Sequence, residues 1–296
     1  MPTAPDPTTA LNRAAALATG SKWKRMAHQP TRYLSAIVFR YLLYPVFKKP
    51  WRNNGRTFFG APMILDLPAG MDLFLLGCKT HDSELRLARF FIRFIQPGDN
   101  IADVGAHFGY FSLLAAHLAG PEGRVWAFEP GNATFALLSN NVKSASHIEA
   151  HRLLVGAEDG LSDFWEFPTL FSEYNTTRPE SVPATLQGRK TQLECTRLDT
   201  FFSGRQSVPR LVKIDVEGAE YDVLQGLEGI FKRGHFPVIA MEYLGGTSHQ
   251  QAVQWLLNRG YRVFVPSSTG DLHPCDHWEN RLLENHAHSD NFVFVR

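Results

Sequence analysis

The sequence predicts an α/β fold: a mainly parallel sheet with helices on both faces. Three observations predict it. From Gln96 onward, short apolar runs alternate with segments of helical periodicity. Runs such as NIADV and LVKIDV are apolar almost throughout, as strands covered on both faces are. The 296 residues, 44% hydrophobic and 20% charged, suffice for one large domain with an appendage or for two small domains. This composition excludes a mainly disordered, collagen-like or disulfide-stapled chain.

Residues 1–20 are rich in Ala, Thr and Pro without settled periodicity, and a mobile start is expected. Residues 31–49 read as a helix with a broad apolar face (Leu34, Ile37, Val38, Tyr41, Leu42), and Pro45 is expected to end or kink it. Residues 57–76 suggest two short strands joined by a Pro-Ala-Gly turn. Residues 82–95 read as a helix capped by Asp82 or Ser83, with Leu87, Phe90, Phe91, Phe94 and Ile95 on its apolar side. The alternation then runs strand 100–104, helix Gly109–Ala119, strand 124–129, helix Asn132–Lys143 and strand 148–155. After a polar interruption over 161–199 come strand 211–216, helical material at 219–232, strand 237–243 and helix Ser248–Arg259. Strands at 261–265 and 291–295 close the chain.

Charge divides the chain unevenly. Residues 1–60 hold ten basic side chains against one acid, Asp6, while the remainder holds 20 basic and 28 acidic side chains. The asymmetry suggests an anionic partner for the basic N-terminal extension, 1–56: a membrane surface, nucleic acid or the acidic body. The helix at 31–49 either packs on the body or lies at a membrane interface, where tyrosines and flanking lysines are common. No apolar run reaches the roughly 18 residues that span a bilayer, and the N-terminus is a poor secretory signal. Three scattered cysteines favour a reducing compartment, so a cytoplasmic location, peripheral to the membrane at most, is expected.

The chemistry concentrates in PGDNIADVGAHFGYFSLLAAHLAG (97–120). A strand ends near Asp103, Gly105 and Gly109 bracket a tight turn, and a helix N-terminus offers free N–H groups. The spacing G-x-x-x-G differs from the G-x-G-x-x-G of dinucleotide sites, which disfavours an NAD-dependent oxidoreductase. An acid two residues before the first glycine suits a ligand bearing a cation. The next strand ends in Glu129, placed to take hydrogen bonds from a ribose diol. Together the acids describe a nucleoside with an amino-acid tail, S-adenosylmethionine. Glu158 and Asp159, in the loop after the 148–155 strand, are candidates for the adenine amino group. In LVKIDVEGAEYDVLQG, alternation turns Lys213, Asp215 and Glu217 to one face, and the 237–243 strand ends similarly in Glu242.

DVGAHFGYFSLLAA, WAFEP, KIDVEGAEYDVLQG and NFVFV together resemble the FkbM-type family of class I S-adenosylmethionine-dependent methyltransferases, over roughly residues 57–296. The resemblance implies a Rossmann-like, seven-stranded sheet with an antiparallel last strand, and a methyltransferase domain spanning 57–296. It implies O-methylation of a hydroxyl on a sugar, glycan or polyketide-type molecule. It makes Asp103, Gly105, Ala106, His107 and Gly109 the cofactor turn, and Glu129 with Pro130 the ribose clamp. Asp215 then lines the methyl region.

For the general base the order of preference is Asp215, Glu242, Glu217, with His107 a further candidate. Phe164, Trp165, Phe167, Phe171 and Tyr174 in the 161–199 insertion either shape the acceptor pocket or bury a subsidiary core. His273, Cys275, His277, His286 and His288 match no familiar metal spacing, and no metal is assigned, a divalent ion at Asp215 and Glu242 being the alternative. Two alternatives stand beside the small-molecule reading: a nucleic-acid methyltransferase, disfavoured by the acidic body, and a non-catalytic cofactor-binding module at a membrane surface.

Overall fold

In the computed structural model, residues 6–284 and 286–296 are described. The strands are β1 (Trp51–Arg56), β2 (Pro62–Leu67), β3 (Asn100–Val104), β4 (Arg124–Phe128), β5 (Ile148–His151), β6 (Leu154–Val155), β7 (Gly160–Glu166), β8 (Arg189–Thr196), β9 (Leu211–Ile214), β10 (Val238–Tyr243), β11 (Arg262–Pro266), β12 (Leu272–Pro274) and β13 (Asp290–Val295). The main sheet has the order β12-β11-β13-β10-β9-β3-β4-β5. Strands β10, β9, β3, β4 and β5 pair in parallel, while β13, the last strand of the chain, inserts antiparallel between β10 and β11. The seven expected strands are all present, and the short β12 adds an eighth at the edge. This is the Rossmann-like architecture the alternation predicts.

Alternating residues of the central strands enter two separate cores. Ile101, Val125 and Leu211 pack with the helices Asp82–Phe94, Tyr110–Ala119 and Asn132–Val142 on one face. Ala102, Trp126 and Val212 pack with the helices Glu220–Gln225, Glu228–Lys232 and Gly246–Leu257 on the other. Burial on both faces explains why these strands read as continuous apolar runs.

Four expectations need correction. Residues 7–18 of the expected mobile start form a helix: Asp6 caps it at Thr9 N (2.9 Å), and Leu11 is fully buried beside the helix Asp82–Phe94. Residues 1–5 lie outside the described residues. Residues 71–76 are a helix rather than a second strand, capped by Gly70 and by Gly77 in the left-handed region (φ 70°). A six-residue apolar run does not separate the two by periodicity, and the flanking glycines decide. Of the two outcomes expected of Pro45, an end to the helix of 31–49 is not seen, and the disturbance is an interruption of its regular winding. The chain runs from α-helix (Pro30–Val38) through a π-helical turn (Phe39–Leu43), whose wider winding accommodates the proline, into a last turn ending at Lys48. The segment 148–155 is two strands: β5 in the main sheet and β6 in a small separate sheet of order β6-β8-β7. The antiparallel hairpin β1-β2 spans the composition boundary at 56/57.

Asn141 fixes this hairpin to the centre of the fold. Its side chain accepts from Ile64 N (2.7 Å) and donates to Ile64 O (3.0 Å) and Phe108 O (2.8 Å), tying β2 to the glycine turn.

Candidate active site

A cavity of about 460 Å³ opens at the C-terminal ends of β3, β4, β9 and β10, where open α/β sheets bind ligands. Its wall combines the turn Gly105–Phe108, Glu129, Pro130, the carboxylates Asp215, Glu217 and Glu242, Lys79 and Glu84 from the helical N-terminal half, and Ser172–Thr177 from the insertion.

The glycine turn is dictated by close approach. Gly105 has φ 79°, and a Cβ there would stand 1.8 Å from the Asp215 carbonyl oxygen, so β3 and β9 can end side by side only with glycine at this position. Gly109 (φ 89°) caps the following helix against Leu138. His107, although not glycine, also adopts φ 50°. Its ring stacks on Phe108 and its Nε2 meets Ser172 Oγ at 2.9 Å. Burial, and then the Lys79 charge, lower its pKa to about 3, so the ring is neutral at pH 7.

Glu129 closes the other side of the turn. Oε1 accepts from Gly131 N (2.9 Å) and Thr134 Oγ1 (2.7 Å), and Oε2 accepts from His107 N (2.9 Å). Burial raises its pKa, opposed by these three bonds. With Oε1 carrying two donors, Oε2 keeps the free lone pair.

Asp103 is placed differently from the expectation. It is buried and does not line the cavity. Oδ2 accepts from Ser112 Oγ (2.6 Å), and Oδ1 faces Lys213 Nζ at 3.4 Å. Asp103 and Lys213 are register partners on adjacent parallel strands, so their side chains leave the sheet together toward the helix Tyr110–Ala119. Glu158 and Asp159 also stay off the cavity. Both are exposed, and Asp159 accepts from Arg197 N (2.9 Å) and Thr200 Oγ1 (2.8 Å). The chain leaves the main sheet at β5 and enters the small sheet, which carries this loop outward, so Leu153–Val155 and Phe164 supply the wall there instead.

Asp215, Glu217 and Glu242 converge: their carboxylate oxygens lie within 4.8 Å of one another. The Lys213 ammonium stands 3.0 Å from Asp215 and is itself buried. Burial pushes Asp215 up, but Lys213, with Lys79 and a hydrogen bond with Glu242, outweighs it and holds the carboxyl below the usual range. Burial, then the Asp215 charge, hold Glu217 and Glu242 well above theirs. In this cluster the Lys213 charge thus favours the ionised form of Asp215, while burial and the Asp215 charge favour the protonated forms of Glu217 and Glu242. Glu217 sits at φ 54°, and its strained turn is clamped by the insertion, since Thr176 Oγ1 and Ser181 Oγ both donate to its carbonyl (2.8 and 2.7 Å).

Sequence reasoning missed Lys79, Glu84 and Glu173. Lys79 pairs with Glu84 at 3.3 Å, and that charge, then Asp72, Glu173 and Asp215, hold it protonated against burial. No motif marks these residues, which come from the helical cap and the insertion. Of the insertion's aromatics, Phe164 and Tyr174 reach the cavity, while Phe167 is buried outside it. His288 of the histidine-rich tail lies at the rim. Among the described residues, no histidine belongs to a cluster with metal-ligand geometry.

The Methyltransferase FkbM domain matches residues 103–263, more than half of the chain. The chain belongs to the FkbM methyltransferase family. It is 33% identical to Methyltransferase 1 of Beauveria bassiana (strain ARSEF 2860), over 45% of this chain and 60% of that protein. It is 31% identical to the 31-O-demethyl-FK506 methyltransferase FkbM of Streptomyces tacrolimicus, over 45% of this chain and 61% of that protein. The chain thus spans less than two thirds of the length of these curated relatives. Among solved structures it is similar to the O-methyltransferase TomG of Streptomyces achromogenes in complex with SAM (TM-score 0.42, 12% identity, 76% of this chain and 84% of that one). The cofactor is S-adenosylmethionine, the methyl donor of this family. The cavity's chemistry fits it: a buried acid with one free acceptor site, apolar side chains at Leu153, Val155 and Phe164, and a charged region around Lys213 and Asp215.

Proposed function

We propose that this member of the FkbM family is an S-adenosylmethionine-dependent O-methyltransferase, acting on a hydroxyl of a sugar, glycan or polyketide-type small molecule. The observation that carries the reading is the convergence of Asp215, Glu217 and Glu242 on one cavity with the glycine turn and Glu129. The name of the Streptomyces relative, which specifies a 31-O-demethyl compound, also favours a hydroxyl acceptor.

Glu129 would hold the ribose of the cofactor, and the turn Gly105–His107 with Pro130 would enclose its nucleoside. When bound, the cofactor supplies an electrophilic methyl group. The chain's part is to orient the acceptor oxygen, exclude water and take up a proton. Asp215 is the base of choice because the Lys213 ammonium favours its ionised form. Glu217 and Glu242, on the same wall, orient the acceptor hydroxyls through hydrogen bonds. Neutral His107 stays bonded to Ser172 and positions the insertion.

The test is titration calorimetry with S-adenosylhomocysteine, on the full chain and on Glu129→Ala, followed by an acceptor screen with labelled donor on the full chain and on Asp215→Asn. One-to-one binding that collapses in Glu129→Ala, and product that collapses in Asp215→Asn while binding persists, support the reading. Absence of binding to the folded full chain refutes it.

A further inference from the structure

The helical arm Pro30–Phe47 turns its wider apolar face outward. Only Ala36, Phe39 and Tyr44 of this arm are buried. Leu34, Tyr41, Leu42, Val46 and Phe47 are 62–73% exposed, and Trp23 on the preceding helix is 75% exposed. Positions 34, 38, 41, 42 and 46 recur at helical spacing, so the exposed side chains form a stripe rather than isolated points. Contiguous apolar surface of this kind marks an interaction site. Its surroundings are basic: Lys22, Lys24, Arg40, Lys48 and Lys49 are exposed, and no Asp or Glu occurs from residue 7 to residue 65.

We propose that this arm docks on an anionic lipid surface, lying in the plane of the interface with its apolar stripe among the acyl chains and its lysines and arginines at the headgroups. Charge complementarity selects this occupant. A second copy would bring two basic surfaces together with no acid in either segment to offset them, whereas an anionic bilayer takes both the apolar stripe and the charge. Tyrosine and tryptophan beside lysine suit the headgroup level. No helix among the described residues is long and apolar enough to cross a membrane, so the contact is peripheral. The arm also adjoins the active site, since Leu170 N donates to Tyr44 Oη (3.3 Å) and the segment after Leu170 lines the cavity with Ser172 and Glu173. Docking would hold the cavity next to the bilayer.

The experiment is co-sedimentation of the full chain with phosphatidylcholine vesicles, with and without phosphatidylglycerol, at low and high salt. Leu42→Glu/Val46→Glu and Lys48→Glu/Lys49→Glu run in parallel, their folding checked by circular dichroism. The expected result is binding to phosphatidylglycerol vesicles that weakens with salt, with a loss on the order of ten-fold or more in each double variant. A wild-type chain that stays in the supernatant with both vesicle types overturns the proposal. So does equal binding with and without phosphatidylglycerol, or a wild-type dimer that the apolar variant splits while no vesicle is bound.

Discussion

Replacing Lys213 with methionine removes a buried cation that two carboxylates share. Lys213 is 3% exposed, with Asp103 at 3.4 Å and Asp215 at 3.0 Å. At an effective dielectric of about 20, each pair is worth about 5 kcal/mol before desolvation. The net cost of deletion is smaller, because methionine fills much of the same volume and has no charge to bury, although the ammonium's approach to the Phe111 ring is lost. What remain are Asp215, which water reaches, and Asp103, fully enclosed, with Ser112 Oγ as its remaining partner. Breaking a buried pair from one side typically costs about 3–5 kcal/mol, the range expected for Lys213→Met. Asp103→Asn/Lys213→Met removes the stranded carboxylate as well and should recover most of that loss. Urea unfolding followed by circular dichroism at neutral pH measures both variants. If Lys213→Met unfolds within about 0.5 kcal/mol of wild type, or the double variant is no more stable than the single, the buried pair is not what holds β3 to β9 here.

Two further substitutions probe the glycine turn. His107 carries a folded pKa of about 3 against 6.5 in the unfolded chain, so the unfolded state binds the extra proton between those values. Its stability contribution is whole above 6.5 and is lost as pH falls, by about 1–2 kcal/mol between pH 7 and pH 5 after allowance for a half-buried ring. His107→Asn, which tolerates the left-handed backbone, should flatten that dependence in unfolding midpoints, and parallel slopes for the two proteins would refute it. Gly105→Ala must displace the Asp215 carbonyl and should cost about 3 kcal/mol and cofactor affinity, whereas Gly98→Ala, with positive φ but open space, should cost only about 1 kcal/mol. Equal urea midpoints for the two alanine variants would remove the steric argument.

Most of the sheet was legible because its signals are local. β3, β4, β9, β10 and β13 are apolar runs bounded by turns, and their burial on both faces leaves little else for such residues to do. The helix at 71–76 was hidden by its shortness, and the helix at 7–18 by a composition that looks unstructured until Leu11 finds the helix Asp82–Phe94. Asp103 was legible as important but misassigned in direction. The glycine turn after it faces the cavity, while its own side chain lies beneath, bonded to Ser112 and paired with Lys213, which stands between it and the cavity wall.

The sequence by itself determined the order of the central strands β3, β4, β9, β10 and β13, the two glycines of the turn, the acid at the end of β4 and the carboxylates of β10 and the segment after β9. Each follows from what one short stretch can adopt: alternation, left-handed backbone, or a strand end. Tertiary structure decided which groups meet. Lys79 and Glu84 from the N-terminal half, Ser172 and Glu173 from the insertion, and Asp215, Glu217 and Glu242 from two strand ends form one wall only when the sheet and its covering layers close. It also decided which way each carboxyl is shifted: Lys213 holds Asp215 below its usual range, and burial with the Asp215 charge holds Glu217 and Glu242 above theirs. A carboxyl's protonation depends on the distance to its neighbours and on the water around it, and a linear order of residues specifies neither.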